Sequence, residues 1–252
     1  MRIGVIGKGN VGTHLYKALS GKGIHEVSLV DSRNLEGIEE KFDLLILSVK
    51  DDAIREVASQ LGNILPDFKG IVVHTSGSVE METIKPFFKN IGVFYPLQTF
   101  KKDRELVYSE IPVFIEANGN ETEKKLRELA EVFTDKIYQA DSNRRKALHI
   151  GAVLSCNFVN FLFGEAEDIL KENGYDFSVL YPLIRETLER TKEHSPKETQ
   201  TGPAARGDFN VLNSHLELLD EKPNLHKIYR ILSNSIYLKT TGKVVGNEQD
   251  RL

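Results

Sequence analysis

Apolar and polar positions follow two regimes along the 252 residues of the chain. Up to about residue 141, short apolar runs alternate with stretches of helical spacing, and beyond it only helical spacing persists. The short runs cover residues 1–6, 27–30, 43–49, 70–74, 91–94, 111–115 and 136–138, and each reads as a strand. Between them, Leu15, Ala18 and Leu19, and then Ile54, Val57, Ala58 and Leu61, recur at helical intervals, and a charged helix is predicted from 121 to about 133. Strands alternating with helices predict an α/β Rossmann-like fold with a mainly parallel, doubly wound sheet. Pro112 has no backbone N–H to give, which moves its strand toward an edge or places the proline among the strand's first residues.

The second regime predicts an all-α domain, so the expected division is 1–141 and 142–252. A long helix is expected over 143–172, ended by Asn173 and Gly174. Its middle is apolar nearly all round, which predicts burial, either centrally in the domain or against a second copy. Another helix is expected over 178–194, with Pro182 tolerated in its first turn, and others over 209–219 and 225–240.

Composition changes this picture little. A net charge of −4 and a pI near 6.0 give no basic excess, so neither nucleic acid nor an anionic membrane surface is an expected partner. The apolar stretch 147–163 is interrupted by His149, Ser155, Asn157 and Asn160, which argues against a lipid-spanning segment. Cys156 is the single cysteine, which excludes an internal disulfide, and in an apolar segment it reads as core filler. A first strand that starts at Met1 leaves no space for a charged n-region and cleavage site, so a cytoplasmic location is expected.

The chemistry begins at Gly7-Lys8-Gly9-Asn10-Val11-Gly12, which follows the first strand and opens the first helix. The first glycine allows a tight turn, the second lets the backbone approach a pyrophosphate, and the third lets helix pack on strand. The pyrophosphate is received by the free N–H groups and the positive end of the helix. Asp31 ends the second strand about 20 residues further on, completing the dinucleotide-binding pattern in its expected context. Asp31 suits a free ribose 2′-OH, whereas Ser32 and Arg33 suit a 2′-phosphate, so the cofactor is NADP or NAD with NADP ahead. Adenosyl-methionine would share the same first turn. Ligands of open α/β sheets lie at the carboxyl ends of the strands. Ser48, Val49, Thr75 and Pro96 are therefore further cofactor candidates, and Gln98 is a candidate substrate contact.

In the helical half, Lys146, His149, Asn157 and Asn160 fall within an arc of roughly 80° at 3.6 residues per turn. Polar groups on an apolar helix face either a structural hydrogen-bond network or a polar ligand. Lys146 or His149 would exchange the proton that accompanies hydride transfer, with Asn157 orienting a carbonyl and Asn160 a further contact. The 201–208 loop adds Thr201 and Arg206 as candidate substrate contacts, although Arg206 and Asp208 would also stabilise a plain interhelical connection.

Together the glycine loop, the 95–100 segment Tyr-Pro-Leu-Gln-Thr-Phe, the His149–Asn157 helix and the 201–208 loop resemble a family of NAD(P)-dependent oxidoreductases. That family joins a Rossmann-like domain to an all-helical domain of unknown function. The chain is similar, more distantly, to pyrroline-5-carboxylate reductases, deazaflavin-dependent NADP reductases and 6-phosphogluconate dehydrogenase, whose C-terminal domain the helical half resembles. The resemblance implies cofactor contacts at Gly7–Val11 and Ser32–Arg33, a cleft for a small-molecule substrate shared by His149, Asn157 and the Thr201 loop, and a homodimer formed through the helical domain. Two departures stand out. Tyr95 precedes Pro96 where relatives often carry histidine, and Ile150 stands four residues after Lys146 where β-hydroxyacid dehydrogenases carry asparagine. A dinucleotide-binding sensor without turnover is the reading from another functional class.

Overall fold

The computed structural model describes residues 1–21, 23–35, 38 and 41–243. Seven strands form one sheet: β1 (Arg2–Ile6), β2 (Glu26–Val30), β3 (Leu44–Leu47), β4 (Ile71–His74), β5 (Asn90–Pro96), β6 (Val113–Ala117) and β7 (Ile137–Gln139). Their order is β2-β1-β3-β4-β5-β6-β7, and every pair is parallel except β5 with β6. That exception follows from the connection. No α-helix lies between β5 and β6, so the chain returns alongside β5 without the crossover that a parallel neighbour needs. Pro112 sits just ahead of β6, which is flanked on both sides, so the proline marks a strand start and not an edge.

Helix α1 (Asn10–Ser20) covers one face of the sheet with α3 (Asn120–Glu131), and α2 (Ile54–Ile64) covers the other. Leu44 and Ile46 pack with Leu15 and Leu126, while Leu45 and Leu47 pack with Ile54 and Leu61, the alternation that successive side chains of a strand must show. Because both faces are covered, β3 and β4 are buried along their whole length, which is why they read as unbroken apolar runs. Strand order reverses between β1 and β3, so the loops after these two strands meet at the switch point.

The helical part comprises α4 (Ser142–Ala152), a π-helical turn (Val153–Asn157), α5 (Phe158–Glu172), α6 (Tyr181–Glu193), α7 (Pro203–Arg206), α8 (Phe209–Leu218) and α9 (Pro223–Thr241). Strand character ends at Gln139, but the chain's compact units are Met1–Phe158 and Val159–Leu252, so α4 belongs with the sheet. The reason is Arg145, which is fully buried and fastens α4 to the loop after β4.

Two sequence expectations are corrected and one is narrowed. The middle of the long helix is not buried within its own chain: Ile150, Leu154, Phe158 and Phe161 are between 48% and 60% exposed. Cys156 is exposed and not core filler. The 201–208 segment contains a helical turn, α7, entered at Gly202 (φ 106°) and left at Gly207 (φ 72°), both in the region glycine tolerates.

Candidate functional site

The glycine loop is shaped by what surrounds it. A Cβ on Gly12 would lie 1.9 Å from the Gly7 carbonyl oxygen, and one on Gly7 (φ 116°) would lie 2.2 Å from the Ser48 carbonyl oxygen. Both collisions are with backbone, so neither position accepts a side chain. Gly9 is different: a Cβ there would meet only the Ser48 carbonyl, at 4.0 Å, and the space beyond it is open. Gly9 also caps α1 without any side-chain hydrogen bond, so Asn10 and Val11 open a helix end with no side chain laid over it. The Ser48 hydroxyl beside this loop is buried and has no hydrogen-bond partner among the described residues. These residues fit a phosphate-bearing dinucleotide: an uncapped helix end, a glycine that leaves room, and an unpaired buried hydroxyl.

Gly7 N–H donates to the Val30 carbonyl at 2.9 Å, tying the loop to the end of β2 and so to Asp31. The Asp31 carboxylate accepts from Arg33 N at 3.0 Å and from its Nε and Nη2, each at 3.2 Å. These bonds hold the Asp31 carboxyl down at about 2. Arg33 is otherwise 89% exposed, so a 2′-phosphate is able to draw it away while Asp31 remains able to accept from a 2′-OH. Ser32 lies between them, half-buried.

A cleft of about 890 Å³ lies in the same unit, lined by Tyr95, Leu97, Gln98, Thr99 and Phe100 on one side and by α4 and the π-turn from Ala147 to Asn157 on the other. That volume is of the size that encloses small ligands. The Tyr95 hydroxyl and His149 Nδ1 are 3.2 Å apart across it, and burial pushes the Tyr95 phenol up. Gly77 lets the pair meet, since a Cβ there would come within 2.8–2.9 Å of the Tyr95 ring and His149 Nδ1.

Of the four polar residues expected on one helix face, His149 and Asn157 line the cleft and the other two do not. The wider winding of the π-turn delays the helix phase, bringing Asn157 into line with His149 and carrying Asn160 past it. Asn160 is exposed on α5, in the second unit. Lys146 makes an ion pair with Glu80 at 2.8 Å instead, and it holds the Glu80 carboxyl down. Gln98 lines the cleft, its Oε1 accepting from Thr99 N at 2.8 Å. Pro96 closes β5, Thr75 donates to the Leu47 carbonyl through N and Oγ1, and Val49 is half-buried against Gly7. Thr201 and Arg206 belong to the second unit, where Arg206 pairs with Asp208 at 2.8 Å.

Sequence reasoning missed the buried network that supports the cleft. Arg145 donates from Nη1 to the Val79 and Ser76 carbonyls at 2.9 and 3.3 Å, and from Nη2 to Glu116 at 2.8 Å and Ser142 Oγ at 3.1 Å. Burial pulls the guanidinium down and Glu116 opposes that pull. His74 Nδ1 accepts from Ser76 N at 3.2 Å, and burial, then the charge of Arg145, lowers this histidine to about 3. No local signal pairs Arg145 with a glutamate 29 residues earlier.

A glycine-looped helix end at the switch point of a doubly wound sheet, with a cleft holding a few polar groups in the same unit, defines the class of Rossmann-fold dinucleotide oxidoreductases. Residues 111–236 match the family model described as a domain of unknown function, DUF2520. Among solved structures, a provisionally assigned NADP oxidoreductase of Bacteroides fragilis is 37% identical, covering 94% of this chain and 97% of that one, with a TM-score of 0.85. A Streptomyces aurantiacus imine reductase (13% identity, 96% and 99% coverage, TM-score 0.62) shares the fold. So does a Plasmodium falciparum pyrroline carboxylate reductase with NADP bound (13%, 96% and 100%, 0.58). No curated protein is significantly similar in sequence. The chain belongs to the DUF2520 family and, within the Rossmann-fold oxidoreductases, joins the sheet domain to that family's helical part.

Proposed function

We propose that the protein moves a hydride between the nicotinamide of NADP or NAD and a carbonyl, alcohol or imine carbon of a small polar metabolite. The observation that carries this reading is the glycine cradle beside the unpaired Ser48 hydroxyl, in one unit with a cleft whose wall holds the Tyr95–His149 pair. The bound dinucleotide supplies the hydride. The chain binds it at Gly7, Gly9, Asn10, Val11 and Gly12, with Asp31, Ser32 and Arg33 at the adenosine ribose and Val49, Thr75 and Pro96 toward the nicotinamide. Arg33, free to leave Asp31, supports NADP ahead of NAD.

At the cleft, Tyr95 and His149 hold a proton between the phenol oxygen and Nδ1, within reach of a substrate oxygen or nitrogen. Asn157 orients the substrate, and Lys146, whose ammonium is held by Glu80, leaves the proton exchange to His149. Gln98, on the cleft wall, is assigned to substrate contact. The exposed face of Ile150, Leu154, Phe158 and Phe161 supports a homodimer. Among the described residues one helix, Ser142–Glu172, is long and apolar enough to cross a membrane, but its polar interruptions favour a second copy as the cover and a cytoplasmic enzyme without membrane or nucleic-acid partners.

The test is loss of absorbance at the reduced-nicotinamide band with a panel of small carbonyl and imine compounds. Tyr95→Phe and His149→Ala are expected to lower kcat by about 100-fold or more while leaving NADPH affinity intact. Turnover unaffected by both would contradict the site, and NADPH binding without turnover across the panel would favour a sensor.

A further inference from the structure

Helix α1 does more than present its N-terminus. One turn into it, His14 is 1% exposed and reaches the loop between β5 and β6. Its Nε2 lies 2.7 Å from the Lys101 carbonyl and its Nδ1 3.0 Å from the Tyr108 hydroxyl. A carbonyl only accepts, so Nε2 carries the proton and donates, and Nδ1 accepts from Tyr108. Three residues on, Lys17 Nζ donates to the Lys102 carbonyl at 3.5 Å. The His14 ring also packs on Phe100, with centroids 5.3 Å apart.

The loop has little else. Among the described residues, the hydrogen bonds that tie the backbone of 98–106 to another element both come from α1, and residues 101–105 are exposed. Yet Gln98, Thr99 and Phe100 of this loop form a wall of the cleft. The same short helix therefore opens at the glycine loop and grips, through a buried histidine, the segment that shapes the cleft.

We infer that His14 is a positioning residue that couples the dinucleotide-binding end of α1 to the Gln98–Phe100 wall. The inference rests on the dinucleotide reading of the glycine loop. When α1 is ordered by a ligand at its N-terminus, the Lys101 carbonyl is ordered with it, and the wall takes the shape that receives substrate. Lys17 adds a second, exposed contact and is not sufficient alone.

The test is hydrogen exchange on the full chain with and without NADPH, in wild type, His14→Phe, His14→Gln and Tyr108→Phe. In wild type, NADPH is expected to slow exchange at 7–13 and also at 98–104. His14→Phe keeps an aromatic ring but loses both hydrogen bonds. It is expected to speed exchange at 98–104 about tenfold and to abolish the response there, while 7–13 still respond. Tyr108→Phe spares the Lys101 contact and should keep the response, and His14→Gln, with an amide able to donate to Lys101, should restore part of it. Slowing at 7–13 without slowing at 98–104 in wild type overturns the coupling, as does an undiminished response in His14→Phe. Should His14→Phe not fold, the wild-type and Tyr108→Phe responses decide. No response at 7–13 in wild type overturns the dinucleotide reading itself, and the coupling with it.

Discussion

Around the sheet the apolar residues leave the surface: Leu44, Leu45, Ile46 and Leu47 are all 0% exposed, and helices pack on both faces, while Ile150, Leu154 and Phe158 at the end of the same unit stand 55–60% exposed. The second unit does the opposite. Among its described residues only Ala204, Leu212, Leu216 and Leu219 are buried apolar side chains, while Phe161, Leu183, Leu188 and Ile231 stand 48–64% exposed. Neither α5 nor α6 buries a single residue. The two units carry similar sequence hydrophobicity but use it differently. The sheet and its helices form a closed core, whereas the π-turn segment that ends the first unit and the helices of the second leave apolar faces exposed.

The contrast is broken most severely at Arg145. Arg145→Leu takes the cationic partner from Glu116, which keeps only the Ser142 donors, and the donor from two carbonyls, and is expected to cost about 3–5 kcal/mol in urea unfolding. The double variant Arg145→Leu with Glu116→Leu should recover much of that loss, because the stranded charge is gone. A single variant within 1 kcal/mol of wild type would mean that α4 is held to the sheet by something else.

If a second copy covers the exposed face, Leu154→Asp should weaken association by about 2 kcal/mol or more and shift the mass measured by light scattering from dimer toward monomer. Wild type that is monomeric at every concentration tested would refute the dimer.

An effect confined to acid pH sharpens the first half of the comparison. His74 stays neutral in the fold down to about 3, against 6.5 for an ordinary histidine, because of burial and the nearby Arg145. A depressed value means that its contribution is complete above about 6.5 and is lost as pH falls toward 3. Stability should therefore decline by about 1.4 kcal/mol per pH unit below 6.5 from this group. His74→Asn, which retains an acceptor for Ser76 N, should flatten that part of the acid limb.

Much of the first unit is legible in sequence because its signals are local. The glycine spacing, the runs at β1, β3 and β4, and Asp31 at the end of β2 each announce themselves within a few residues. The cleft is less legible. Asn157 joins His149 only because of a π-turn, and a face computed at 3.6 residues per turn places Lys146 and Asn160 beside them. Arg145 and His14 carry no such mark, since each acts on a carbonyl or carboxylate far away in the chain. The apolar middle of the long helix was ambiguous for a different reason. The same pattern serves a core or an interface, and only the surrounding chain tells them apart.

In the proposed function the glycine cradle holds a nicotinamide dinucleotide and Arg33 selects its form. Parallel calorimetric titration of wild type and Arg33→Ala with NADPH and NADH tests both at once. The account predicts one dinucleotide per chain, tighter binding of NADPH than NADH, and a loss of about tenfold in NADPH affinity alone on Arg33→Ala. Absence of binding by either dinucleotide to wild type would contradict it, and equal weakening of both by Arg33→Ala would remove Arg33 from the selection.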